Sequence, residues 1–219
     1  MSAHTSVVRM LDIPAIEKAL AGAADPAKAA GMSAYMRGQF PFLGVPAGPR
    51  RAVTKGLLPR EVDWDGIFQL LDHHEQREFH YVAGDAINRA ALTRADLPQL
   101  CRFLTTKSWW DTVDLVARKV GSVAEPGDMR EWAVDENLWV RRVAIIHQLG
   151  RGVDTHLLGE IIGRNLGSGE FFLDKAIGWA LRDASKHHPE WVLRYVAETD
   201  LSALSRREAL KWLKAQDRC

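Results

Sequence analysis

The segment Lys107-Ser-Trp-Trp-Asp-Thr-Val-Asp114 holds the side chains best suited to chemistry in this sequence. Ser108 is a suitable N-cap for a helix that begins at Trp109. In such a helix Trp110 and Asp114 lie four residues apart, so they share one face. An aromatic ring face and a carboxylate both attract positive charge. The pair therefore indicates a site that binds a cation, or stabilises one that develops in a transition state.

The same segment also allows a structural interpretation. Trp110 could belong to the core, and Asp114 could pair with Arg118 at the i+4 position. Such an ion pair on a helix contributes roughly 0.2–0.5 kcal/mol. Taken by itself, the segment favours this structural interpretation, and the rest of the sequence has to overturn it.

A second group of residues, in the segment 170–186, alternates cations with an aromatic ring. Lys175, Trp179, Arg182 and Lys186 follow one another at spacings of four, three and four, which places them on one helical face. Such a face could hold consecutive phosphates and present the ring to something between them. The alternative is a solvated face whose Trp packs on the aliphatic parts of Lys and Arg. The sequence leaves both interpretations open.

A third segment, 137–149, places Arg142 on a helical face with apolar residues such as Leu138 and Ile145. A guanidinium among apolar neighbours needs an acceptor, which can be a carboxylate or a phosphate. A structural pair with a carboxylate on the next helix therefore remains open. Periodicity does not separate Arg141 from Arg142, because both lie near this face.

Composition narrows the classes of function. The chain has 219 residues with 29 basic and 28 acidic side chains, and this balance neither indicates nor excludes nucleic acid. Its two cysteines, Cys101 and Cys219, form no disulfide framework and no metal spacing, which fits a reducing, intracellular setting. No signal peptide or membrane span is evident. A Gly-rich phosphate loop, a His-Glu-x-x-His motif and a Gly-x-Ser-x-Gly elbow are absent, so we expect no cofactor and no metal.

The apolar periodicity predicts an all-α fold, because apolar positions recur at three and four residues nearly throughout. The predicted helices are 14–24, 26–38, 49–58, 63–71, 77–91, 96–105, 109–120, 127–133, 137–149, 155–165, 170–187, 189–198 and 205–216. So many short helices with short connections favour stacked antiparallel pairs, an α-solenoid with a concave face. We expect one domain over residues 13–219 and a poorly ordered extension over residues 1–12.

Five segments carry a resemblance to a known family. They are YMRGQFPFLG (35–44), KSWWDTVD (107–114), LWVRRVAIIHQL (138–149), EFFLDKAIGWALR (170–182) and LSRREAL (204–210). In this order they resemble the AlkD-like DNA alkylation repair glycosylases over essentially the whole chain. The resemblance implies degenerate HEAT-like repeats with double-stranded DNA in the concave groove.

The resemblance also implies an activity and a set of site residues. The activity is hydrolysis of the N-glycosidic bond of N3- or N7-alkylated purines such as 3-methyladenine and 7-methylguanine. The damaged base is left largely stacked within the DNA double helix. Carried over by position, the catalytic carboxylate is Asp114, the aromatic walls are Trp110 and Trp179, the guanidinium is Arg142, and Tyr35 contributes to the same site. We expect the cations of the second group, Lys175, Arg182 and Lys186, to contact the DNA backbone.

The chemistry agrees with the residues. Alkylation at N3 or N7 makes the purine cationic and a good leaving group, so the site needs a negative group near the deoxyribose and a positioned water. We therefore expect a monofunctional glycosylase of base excision repair, a monomer that acts in the cytoplasm, on the nucleoid in a bacterium. The alternatives are a non-catalytic HEAT-like DNA-binding protein and a protein-interaction scaffold.

Overall fold

The computed structural model describes residues 10–216, and every regular element in that range is helical. Within it, fourteen α-helices and one 3-10 helix, Arg94–Asp96, follow one another through short connections. The α-helices are α1 (Ile13–Gly22), α2 (Pro26–Tyr35), α3 (Ala47–Thr54), α4 (Trp64–Asp72), α5 (Arg77–Arg89), α6 (Leu97–Thr105), α7 (Trp110–Val120), α8 (Pro126–Trp132), α9 (Leu138–Ile146), α10 (Thr155–Gly163), α11 (Phe171–Ala184), α12 (Pro189–Glu198), α13 (Ala203–Ala209) and α14 (Lys211–Gln216). The prediction of an all-α fold is confirmed.

Two predicted helices end or divide at points that differ from the prediction. The predicted helix 26–38 ends at Tyr35, because Arg37 (φ 56°) and Gly38 (φ 70°) adopt the left-handed conformation that terminates helices. The predicted helix 205–216 is two helices, α13 and α14, with Leu210 between them. This break places Glu208 and Lys211 on different helices.

The prediction for Ser108 is wrong. Its hydroxyl donates to the carbonyl oxygen of Leu104 in α6, a local bond that competes with capping the next helix. The helix α7 therefore begins at Trp110, and Trp109 precedes it in an extended conformation without a side-chain cap. Lys107, with a φ of 44°, lies in the turn between α6 and α7.

The chain groups into two compact units, one ending at Thr93 and the other beginning at Arg94. The first unit contains α1 to α5. The described part of the predicted extension is residues 10–12, where Leu11 is buried and its backbone N–H donates to Oδ2 of Asp63 at 2.8 Å. The rest of the predicted extension, residues 1–9, lies outside the described residues. The single domain over 13–219 stays a prediction.

Alternate helices stack on one another in the second unit. Helix α7 packs on α9, α9 packs on α11, and α11 packs on α13, while α8 packs on both α9 and α10. Stacked helical pairs of this kind are the arrangement of an α-solenoid. The candidate residues Asp114, Arg142 and Trp179 lie on three successive helices of this stack, α7, α9 and α11.

Candidate active site

Asp114 and Arg142 form a two-point ion pair between α7 and α9. Nε of Arg142 donates to Oδ1 of Asp114 at 2.7 Å, and Nη2 donates to Oδ2 at 2.8 Å. Nη1 of Arg142 donates to the carbonyl oxygen of Phe172, at the start of α11. The guanidinium thus joins three helices, and it fixes both the position and the orientation of the carboxylate.

This ion pair is largely withdrawn from solvent. The side chain of Asp114 is 14% exposed and that of Arg142 is 4% exposed. Burial raises the pKa of Asp114 above its ordinary value, although the hydrogen bonds and charge of Arg142 oppose the rise, and the nearby Asp111 carboxylate adds to it. A carboxylate in such poorly solvated surroundings interacts strongly with a cation that comes close to it.

The ion pair decides between alternatives that the sequence left open. Asp114 pairs with Arg142, which is 28 residues away, and not with Arg118 one turn further along α7. Arg142, rather than Arg141, reaches the carboxylate, while Nε of Arg141 is buried and has no hydrogen-bond partner within residues 10–216. The acceptor that Arg142 requires is therefore a carboxylate on a neighbouring helix, and that carboxylate is the candidate catalytic group.

Trp110 and Trp179 are both partly exposed. Trp110 is the first residue of α7, one turn before Asp114, and Trp179 lies in the middle of α11. By contrast, Trp139 is 8% exposed and belongs to the core. Partly exposed indole rings can contact a ligand, as their predicted roles require. Their function as aromatic walls stays a prediction.

An aromatic cluster beside the ion pair was missed by the sequence analysis. The ring centroid of Trp109 lies 5.6 Å from that of Trp139 and 5.0 Å from that of Phe172, and Trp139 and Phe172 are also 5.0 Å apart. The signal in the sequence is an aromatic residue at or next to the start of α7, α9 and α11. The cluster packs these three helix starts against each other and supports the carbonyl of Phe172 that binds Arg142.

The charged site residues recur at one helical position. Asp114, Arg142 and Lys175 are each the fifth residue of their helix, in α7, α9 and α11 respectively. Because these helices stack in order, the shared position defines a row across the second unit. Along that row a carboxylate is followed by a guanidinium and then by an ammonium group.

The three predicted cations all form ion pairs, but only Lys175 and Arg182 lie in α11, because the helix predicted over 170–187 ends at Ala184, before Lys186. Nζ of Lys175 lies 2.9 Å from Oε1 of Glu208, and Nη1 of Arg182 lies 3.3 Å from Oε2 of the same carboxylate. Lys186 pairs with Asp183 at 2.6 Å. All three cationic side chains nevertheless remain between 33% and 46% exposed, so they still present charge to water. Their contact with DNA phosphates stays a prediction, and Glu208 is a residue that the sequence analysis did not single out.

Tyr35 lies in the other compact unit, as the last residue of α2, and its side chain is exposed. Its predicted contribution to the site of Asp114 stays a prediction. In residues 10–216 no group of three or more His, Cys, Asp or Glu side chains is arranged to hold a metal ion. No helix in the same range is long and apolar enough to cross a membrane.

Comparison with known proteins identifies the family. A family model described as DNA alkylation repair enzyme matches residues 16–213, which include every candidate site residue named above. The chain belongs to the DNA alkylation repair enzyme family. A solved structure described as a predicted DNA alkylation repair enzyme from Enterococcus faecalis is 34% identical, with a TM-score of 0.74. The similarity covers 87% of this chain and 96% of that chain. No curated protein matches the chain.

Family membership confirms the resemblance inferred from the five segments. It assigns the protein a role in DNA repair, with DNA as its partner. The chemistry of this family member should accordingly be sought at the Asp114–Arg142 ion pair, and its DNA contacts at the partly exposed cations Lys175, Arg182 and Lys186.

Proposed function

We propose that this family member is a monofunctional DNA glycosylase that hydrolyses the N-glycosidic bond of cationic N3- or N7-alkylated purines in duplex DNA. The observation that carries the proposal is the poorly solvated carboxylate of Asp114, which Arg142 holds through both oxygens, one helical turn from the partly exposed Trp110. A fixed negative charge beside an aromatic ring suits a reaction in which positive charge moves onto a sugar.

The reaction follows from the charge of the lesion. Because the alkylated purine is already cationic, the bond between its ring nitrogen and the sugar carbon can break without protonation of the base. The bonding electrons leave with the base, which departs neutral, and oxocarbenium character develops on the deoxyribose. Asp114 stabilises this cation. Water then adds to the sugar carbon, and the proton it loses passes to the carboxylate and on to solvent.

Arg142 acts in this mechanism through Asp114. Its near-complete burial and its two bonds to the carboxylate favour a positioning role over a primary contact with a DNA phosphate. A guanidinium has five N–H donors, and three of them are used by Asp114 and Phe172. The remaining donors would suit a phosphate next to the damaged sugar, as a second and weaker function.

Trp110 and Trp179 are proposed as the aromatic walls that contact the damaged nucleotide. This nucleotide stays largely within the DNA double helix. Their partly exposed rings support such a contact. A duplex with 2-aminopurine next to the lesion tests this point, because extrusion of the lesion unstacks its neighbour and raises the fluorescence. We expect no rise. The protein is proposed to work as a monomer, without cofactor or metal, on the DNA of the cytoplasm or nucleoid.

A non-catalytic DNA-binding protein is the alternative, and a protein-interaction scaffold is a more distant one. One observation favours a non-catalytic role. Both oxygens of the Asp114 carboxylate already accept hydrogen bonds from Arg142, as they would in a purely structural ion pair. Binding to DNA without turnover would then be the whole activity.

Release of the base distinguishes these functions. Excess protein is incubated with a duplex that carries a single 7-methylguanine, and the free base is measured by mass spectrometry while the abasic site is measured by alkaline cleavage. The identical duplex with guanine is the control. We expect base release from the damaged duplex alone. A protein that binds this duplex and releases nothing would be the non-catalytic alternative.

A further inference from the structure

Glu208 is fixed in the contact between α11 and α13, directly against Gly178. A β-carbon at Gly178 would lie 2.5 Å from Cβ of Glu208 and 2.9 Å from the carbonyl oxygen of Ser205, so only glycine permits this approach. The hydroxyl of Ser205 donates to the carbonyl oxygen of Asp174 at 2.8 Å, which fastens the same contact. The carboxylate of Glu208 is thereby held under the surface of α11, at the residue that precedes Trp179.

Three cations converge on this one carboxylate. Oε1 of Glu208 lies 2.6 Å from Nζ of Lys211 and 2.9 Å from Nζ of Lys175, and Oε2 lies 3.3 Å from Nη1 of Arg182. The side chain of Glu208 is 4% exposed, whereas the three cations are 33–49% exposed. Three positive charges and one negative charge leave a formal charge of +2, and the positive groups are the ones that face water.

The cluster surrounds one of the predicted aromatic walls. Lys175 lies four residues before Trp179 and Arg182 three residues after it, so all three share a face of α11. Glu208 ties these two cations to Lys211, which belongs to the separate helix α14. Neutralising a buried carboxylate requires one cation, and the two additional ones point to an anion supplied from outside.

We propose that Glu208 is a positioning residue that holds Lys175, Arg182 and Lys211 together as one phosphate-binding patch around Trp179. The ligand is a backbone phosphate of the DNA beside the lesion. The inference rests on the proposed function, which puts the damaged nucleotide at Trp179, and it adds Lys211 and Glu208 to the groups that act on DNA.

Pre-ordering is the physical reason for such an arrangement. Three long cationic side chains that are close together repel one another and occupy many rotamers, and a phosphate would have to overcome both effects on binding. A central carboxylate offsets the repulsion and restricts the rotamers before DNA binds. The ammonium and guanidinium groups still have further N–H donors for a phosphate. Burial acts to raise the pKa of Glu208, but Lys211 and Lys175 outweigh it and hold that pKa at about 2, so the carboxylate is charged at neutral pH.

The variant Glu208→Gln distinguishes two effects of Glu208 on DNA binding: the positioning of the three cations and the net charge of the patch. It adds one positive charge to the patch, so long-range attraction alone would tighten DNA binding. Positioning predicts the opposite: binding to a 7-methylguanine duplex at physiological salt weakens by about threefold or more, the change expected for one lost phosphate contact. Because Asp114 is untouched, the single-turnover excision rate at saturating protein should change less than the affinity. Tighter binding by Glu208→Gln overturns the proposal.

The variant Lys211→Met tests the patch at its exposed end, where folding is not at risk, and thermal unfolding of each variant confirms that it is folded. The slope of log affinity against log salt should become shallower by about 0.9. Lys214→Met, on the same helix α14 and with no carboxylate partner among residues 10–216, is the matched control. In the Glu208→Gln background the effect of Lys211→Met should shrink, which a double-mutant cycle measures.

If Lys211→Met and Lys214→Met have equal affinities and equal salt slopes, Lys211 makes no phosphate contact and the patch is refuted. Failure of the proposed function has a different signature. The wild-type protein then releases no base at all, whatever the variants do to binding.

Discussion

Replacing Asp114 by Asn is the most direct perturbation of the proposed chemistry. The amide keeps the shape of the carboxylate, and its oxygen can accept one of the two hydrogen bonds from Arg142. The other position becomes an NH2 group that faces the guanidinium and cannot accept from it. The variant therefore loses the anion that should stabilise the sugar cation, and it also loses half of the ion pair.

The loss of the anion affects the reaction rate, and the loss of half of the ion pair affects the stability of the fold. Removal of one preorganised electrostatic group lowers a reaction rate by about 10²–10³-fold, or roughly 3–4 kcal/mol of barrier. The loss of one hydrogen bond to a charged group costs about 1.5–3 kcal/mol of folding free energy. Because Arg142 is buried, we expect a measurable fall in the free energy of unfolding in addition to the fall in rate. Affinity for DNA should stay the same or increase slightly, since a negative charge near phosphates is removed.

The assay measures single-turnover release of 7-methylguanine with protein in excess, scaled to the folded fraction from circular dichroism. Asp111→Asn is the control, because it removes an equal charge three residues earlier on α7. We expect that control to release the base at about the wild-type rate. If the folded Asp114→Asn protein releases the base at the wild-type rate, Asp114 is only the structural partner of Arg142, and the proposed mechanism is refuted.

Three further predictions concern pH, the Trp pair and the lesion. As pH falls through the raised pKa of Asp114, the reactive carboxylate is protonated, so the rate should decline at a higher pH than the value of 3.8 for an ordinary Asp would give; a pH–rate profile checks this. Trp110→Ala and Trp179→Ala should each slow excision by about 1–2 kcal/mol with little change in melting temperature, whereas the core variant Trp139→Ala should cost about 3–5 kcal/mol of stability. Both 7-methylguanine and 3-methyladenine should be released, while uracil and hypoxanthine in the same duplex should not; efficient uracil release would contradict the mechanism.

The helical fold could be predicted from the sequence because its signal is local. Apolar periodicity located nearly all the helices, and Asp or Pro at their starts marked the boundaries, as with the Asp63 cap of α4. One error arose where two local interactions compete. The Ser108 hydroxyl can either cap the start of α7 or donate to a carbonyl oxygen at the end of α6. The position of Ser108 in the sequence does not show which of these hydrogen bonds forms.

The candidate site could be predicted only in part, because its contacts are not local. The shared face of Trp110 and Asp114 follows from helical geometry, and the structure retains it. The pairing of Asp114 with Arg142 requires α7 to pack on α9, which no spacing within one helix specifies. Glu208 was missed for the same reason, since its approach to Lys175 depends on the close contact at Gly178.

The common position of Asp114, Arg142 and Lys175 has a consequence for how this chain can vary. Each is counted from the start of its own helix, so a longer or shorter loop between helices leaves the row of charges in place. A single-residue insertion inside the first turn would instead rotate the charged side chain by about 100° about its helix and remove it from the row. Insertions and deletions should therefore be tolerated in the connections that precede these helices, and excluded from the five residues that open each one.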